Sequence, residues 1–197
     1  MANNSSEAKL EILHRIIPHM LGSIEALQVA LHLHATWRDP QPMKIIFNDK
    51  LIVDGNSYAF INPVIEAGII QCRTLLVFLG LSMNKVGKLD KRPPPRKDDV
   101  GVECFSNAAG PLTTISPAQA LSQYNGNEVE VEAALLSVFR IANKGLAHLT
   151  SSFMPSPEES MLLDIACRHI RSLIIDFLYA PLGLTAPAPQ VTSRPNE

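Results

Sequence analysis

Between residues 6 and 37 the apolar side chains Leu10, Leu13, Ile17, Met20, Ile24, Leu27 and Leu31 recur at alternating steps of three and four, the spacing of one helix face. Pro18 falls inside this seam. It has no N–H to give to the helix, so the pattern predicts a helix that is kinked or divided there. Asp39, Pro40 and Pro42 end the segment. The run at 45–53, IIF-NDK-LIV, sets two β-rich triplets around a polar tripeptide and predicts a small β-hairpin near 44–53. Asn62 and Pro63 read as an N-cap and first helical residue, opening a helix to about residue 83. Ile65, Ile69, Cys72, Leu76 and Leu79 form its stripe, and Leu75, Val77, Phe78 and Leu81 leave so little polar circumference that it should be the central helix.

Residues 84–116 show neither helical nor strand period. Their core, KVGKLDKRPPPRKDD, carries three consecutive prolines, which favour an extended backbone, and a long basic Pro-rich loop is expected. A short helix restarts at Ser116-Pro117 and runs to Leu121. A longer one is expected over 127–149, with Val131, Leu135, Val138, Ala142 and Leu149 inward. The last opens at Ser156, whose spacing to Glu159 is that of a capping box, and runs over 156–180 with Leu163, Cys167, Ile170, Ile174 and Phe177 inward. The fold class expected is therefore all-α, a bundle of four or five principal helices with a small hairpin, in a single domain over 6–182. Residues 1–5 and 183–197 have almost nothing to bury and are expected to be disordered.

Composition narrows the class without naming a function. A chain of 197 residues with 46% hydrophobic and 18% charged side chains suits one domain whose core needs no staple. Its 17 basic and 19 acidic residues give a net charge of -2, which excludes a globally basic nucleic-acid binder. Cys72, Cys104 and Cys167 are odd in number and far apart, which suits a reducing cytoplasm better than a disulfide framework. Glu7 and Lys9 precede any apolar run, unlike a signal peptide. Glu66, Gln71 and Arg73 interrupt the most apolar stretch, so no membrane span is expected there.

The near-neutral sum hides two local departures. Lys85, Lys88, Lys91, Arg92, Arg96 and Lys97 stand against Asp90 alone between 85 and 97, an excess that can attract phosphates in a salt-dependent way. Asp98 and Asp99 follow directly, and no aromatic residues interleave to stack bases. In the second place, Arg140, Lys144 and His148 are spaced i, i+4, i+8, which on a helix gathers three potential donors within about 80 degrees of one face. Gly145 lies in that helix at a cost of about 1 kcal/mol against alanine, and His148 is the side chain best suited to exchange protons near neutrality.

The string Asn143-Lys144-x-x-Ala147-His148, late in a helical chain of this length, resembles the RNKxxAH signature of the HEPN superfamily, particularly its abortive-infection and toxin-like branches. The resemblance implies a helical bundle that forms homodimers. Active members are metal-independent endoribonucleases whose arginine and histidine share a cleft between subunits. Asn143, Lys144, Ala147 and His148 match residue by residue, whereas the position of the family's arginine holds Ala142 and the nearest arginine is Arg140. By that resemblance His148 would serve as acid or base and Lys144 as the cation beside the phosphate; Arg140 and Asn143 next to them, and Lys91, Arg92, Arg96 and Lys97 of the basic loop, are the candidate binding residues. Lysine offers a point charge where arginine offers a bidentate fork, so the two are not equivalent. Two classes follow: an RNA- or nucleotide-binding HEPN-like protein, with or without the nuclease step, and a non-enzymatic protein-interaction module such as an adaptor or toxin-neutralising partner.

Other patterns carry less. His32 and His34 diverge on a helix, and His14 and His19 are five apart, so neither pair has metal-ligand spacing; no metal or cofactor is expected. The glycines at 80 and 87 lack the Ser or Thr of a phosphate loop, Leu89 standing in its place. Glu66 and Arg73, seven apart, are expected to form an interior ion pair, with the polar wall of a pocket as the alternative, and Asp164 and Arg168 a surface i, i+4 pair.

Overall fold

The computed structural model describes residues 6–37, 39–145 and 155–191, and most of them are helical. Among the described residues, five helices, three two-stranded antiparallel ladders and one 3-10 turn, Val102–Cys104, follow in chain order. Helix α1, Ser6–Thr36, is continuous. It meets the Pro18 problem by widening: Ile12–Ile16 forms a π turn, and the regular helix resumes at Ile17 with the proline in its first turn, where a missing N–H costs least. Leu13, Ile17, Leu21, Ile24, Leu27 and Leu31 are buried as the seam requires, while Leu10 is exposed and Met20 half-buried.

Strands β1, Pro42–Phe47, and β2, Lys50–Asn56, make the expected hairpin, longer than its sequence signature. Asn48 and Asp49 turn the chain with φ of 48° and 61°, the left-handed conformation that a two-residue hairpin turn demands and that these two residue types tolerate. A bulge shifts the register between Ile45 and Ile46, leaving Ile52 without a partner across the ladder. At the hairpin's base the buried Ser57 accepts from Gln41 N at 3.0 Å through its hydroxyl and donates its own N–H to Gln41 O at 2.7 Å.

Helix α2, Tyr58–Leu79, begins five residues before the expected start, so Pro63 lies inside it rather than at its first position. The hydrogen-bonded base at Ser57 and an Asn56 side chain that accepts from Ala59 N start the helix earlier than the Asn62-Pro63 signal. Gly80, φ 102°, closes it by donating to Val77 O, and a side chain there would strike Thr114. All five residues of the expected stripe are buried.

The expected irregular loop at 84–116 contains regular structure. β3, Leu81–Met83, pairs with β4, Leu89–Lys91, around a turn in which Asn84 Oδ1 accepts from Val86 N and Lys88 N; β5, Ser106–Asn107, pairs with β6, Gly110–Pro111. Leu89, Val102, Phe105, Leu112 and Ile115 pin this segment to the core. Helix α3, Pro117–Ser122, and helix α5, Pro157–Ile174, both open with complete capping boxes, and Asn127 caps α4, Glu128–Arg140, through Val129 N. α4 and α5 run on into π turns, Ile141–Gly145 and Ile175–Tyr179. Positions 146–149 of the expected fourth helix lie outside the described residues, as do 1–5 and 192–197.

The core joins α1 along α2 and α4 along α5, with α5 also against α1 and α2. α1 and α2 are long and apolar enough to cross a membrane by length and composition alone; 44% and 39% of their apolar windows are buried within the protein. The final strand of chain, expected to be loose from 183, is held as far as residue 191. Glu25 Oε2 accepts from Gln190 N at 2.7 Å and from Val191 N at 3.1 Å, and Arg171 donates to Pro187 O at 2.8 Å.

Candidate functional site

Helix α4 leads to the first candidate cluster. Val131, Leu135 and Val138 bury one face, which leaves Arg140 exposed at the helix end. The π turn that follows exposes Asn143 beside it in sequence and buries Ala142, whose exposure is 5%. The position to which the resemblance assigns an arginine thus lies in the core. A guanidinium there would lose its water inside the apolar core. Lys144 belongs to the same π turn by its backbone, and His148 lies outside the described residues.

The second cluster changes more. Lys91, Arg96 and Lys97 are exposed as a solvated basic segment requires. Arg92 is not: its side chain is 8% exposed and pairs with Glu103, and Gly101 leaves room for that pair because any Cβ there would collide with both groups. Arg92 Nε and Glu103 Oε2 remain buried without hydrogen-bond partners. Arg92 is therefore a structural residue that ties β4 to the 3-10 turn, and it leaves the binding set. Asp99 curls back to accept from Arg96 N at 2.8 Å, which moderates the positive field. β3 and β4 pack against α4, so the basic segment and the Arg140 helix are neighbours in the fold.

Glu66 and Arg73 do not pair among the described residues; Arg73 Nε is buried without a hydrogen-bond partner. Asp164 and Arg168 do pair, and Asp164 also accepts from Gln28 Nε2 at 2.7 Å. These groups line a half-open groove of about 790 Å³ between α1, α5 and the docked chain end, together with Glu25, His32 and Arg171. Arg171 meets Glu25 at 3.0 Å, so the cations there are matched by carboxylates and the groove offers an anion little. No sequence signal pointed to this groove, because its walls are far apart along the chain.

Cys72, Cys167, His169 and Tyr179 are buried. Cys72 and Cys167 face each other with sulfurs 3.9 Å apart in the core; burial, then the hydrogen bond between them, raises the pKa of Cys167 well above that of a free thiol, so little thiolate forms. His169 is buried with Nε2 2.7 Å from Ala120 O and its ring edge-on to Tyr124; burial lowers its pKa, partly opposed by the Ala120 hydrogen bond and by Asp176. Tyr179 donates to Leu13 O at 2.6 Å, and burial raises its pKa to about 12. Among the described residues no three His, Cys, Asp or Glu side chains gather into a metal site. No family model, curated protein or solved structure matches the chain.

Proposed function

We infer that this chain is a HEPN-like helical bundle that binds a phosphate-bearing ligand, RNA or a free nucleotide, through Arg140, Asn143, Lys144 and His148, and does not cleave it. The observation that carries the reading is the contrast within one turn: Arg140 and Asn143 are exposed donors, while Ala142 is buried. Metal-free RNA cleavage needs an acid or base near the 2'-hydroxyl and a cation on the charge that develops at phosphorus. With the arginine position closed into the core, donors for ground-state phosphate binding remain, and the fork that would favour the transition state is missing. Exposed Lys91, Arg96 and Lys97, on a segment packed beside α4, add to the attraction. Three unpaired cysteines suit a cytoplasmic setting.

Fluorescence anisotropy with labelled RNA, and with a labelled nucleotide, tests this on the full chain. Binding should weaken with salt, Arg140→Ala with Lys144→Ala should weaken it roughly tenfold, and Lys91→Gln with Lys97→Gln should lower the salt slope by about two. RNA incubated in chelator should stay intact. Wild-type protein that binds neither ligand overturns the reading, and cleavage lost in His148→Ala would restore the nuclease.

A second reading, the non-enzymatic interaction module, is favoured by one observation: the β1–β2 hairpin exposes most of its apolar side chains.

A further inference from the structure

Ile46, Phe47, Leu51, Ile52 and Val53 are 60%, 66%, 52%, 59% and 37% exposed, and every residue of β2 is solvent-facing. Single exposed apolar residues are ordinary, but five within eight positions on one two-stranded arm put an unusual amount of apolar surface in water. Strand alternation puts them on both faces: Ile45, Phe47 and Val53 follow one face, Ile46 and Leu51 the other. An isolated two-stranded hairpin is marginal in water, which makes an uncovered one costly to keep.

The charges on the arm say what covers it. Lys44 and Asp54 sit opposite each other at its base, and Asp49 and Lys50 lie at its turn, so each end carries one cation and one anion with the apolar residues between. A second copy laid antiparallel about a two-fold axis sets base against turn. Every charged end then meets an end with one charge of each sign, and the apolar centres coincide. Such a surface is complementary to itself, the requirement for an isologous dimer. The same balance disfavours other occupants: an anionic bilayer or a nucleic acid attracts a net positive surface, and Asp49 at the very tip resists insertion into lipid. The bulge at Ile52 interrupts the open edge of β2, which discourages endless strand addition and leaves packing between faces as the closed solution.

We propose that the β1–β2 hairpin is a dimerisation arm that packs antiparallel against the same hairpin of a second copy. The proposal stands apart from phosphate binding at Arg140, since it uses none of those residues.

Light scattering on the eluting full chain, over the micromolar range, reads it directly. The wild type should give twice 21.6 kDa. Ile46→Lys with Ile52→Lys should halve that mass while helical circular dichroism and melting stay near the wild type, because both side chains are exposed. In a Cys104→Ser background, Leu51→Cys near the axis should cross-link to its own copy on oxidation, and Lys44→Cys should not. Mixed Lys44→Cys and Lys50→Cys chains should cross-link to each other. A wild type that stays monomeric overturns the proposal, as does a dimer that survives the double lysine variant, or a monomer that instead sediments with vesicles through its hairpin. RNA anisotropy on the same variants keeps the two readings separable, since loss of one need not change the other.

Discussion

His169 is bound through Nε2 to the carbonyl of Ala120, which requires that nitrogen to carry the proton, and its ring meets the edge of Tyr124. Burial, the largest influence on it, favours the neutral imidazole. The folded pKa therefore lies below the ordinary 6.5, and the unfolded chain binds the proton more readily. The stability this group contributes is fully present above pH 6.5 and is lost as pH falls from there towards the lowered folded value. Denaturant titrations from about pH 7.5 to about pH 5 should show that loss in the wild type and a shallower one in His169→Gln. An unchanged slope would mean the imidazole charges in place. Tyr179 poses a simpler question. Its hydroxyl donates to Leu13 O, joining the chain's two ends at the start of α1's seam. Tyr179→Phe keeps the ring and strands a buried carbonyl, so it should cost about 1–3 kcal/mol in urea unfolding with m unchanged.

Between elements, α1 and α2 approach closely at Gly68. A Cβ at 68 would collide with the Cβ and Cδ2 of Leu27, itself fully buried, so the missing side chain is what lets the two helices meet. Gly68→Ala should destabilise by about 1–3 kcal/mol by overpacking, despite alanine's better helix propensity; Leu27→Ala in the same chain should recover little of the loss, because alanine keeps the Cβ that lies nearest. Melting curves of the two single variants and the double check this. The contact also marks where sequence reading works. The α2 stripe was legible because five apolar residues at helical spacing can hardly be buried any other way. The start of the same helix was not, since Pro63 mimics a first position and the real start depends on Ser57 bonding to Gln41, across the hairpin. The segment at 84–116 was missed for a related reason. Strands of two or three residues are too short to show a period, and Leu89, Phe105 and Ile115 are core residues without a rhythm. At the candidate site, Arg140 and Asn143 were legible as surface donors, whereas Arg92 was indistinguishable from its basic neighbours until Glu103 and Gly101 were brought beside it.

On the scale of the molecule, the chain end works as a strap. Glu25, on α1, takes the Arg171 guanidinium of α5 on one oxygen and the N–H groups of Gln190 and Val191 on the other, and Arg171 also donates to Pro187 O. One carboxylate thus joins a helix near the N-terminus, a helix near the C-terminus and the strand of chain beyond it. The Glu25 and Arg171 side chains are only 11% and 23% exposed, so water replaces these bonds less well than it would at an open surface pair. Glu25→Ala should cost roughly 2 kcal/mol, and removal of the chain from Pro187 onward should cost less, because Glu25 and Arg171 keep each other. If the strap acts through Glu25, the two changes are not additive: Glu25→Ala should cost less in the shortened chain than in the full one. Urea unfolding of the four proteins measures that coupling. A coupling of zero would show that the chain end lies against α1 without stabilising it, and the groove between α1 and α5 would then stand open at no cost to the fold.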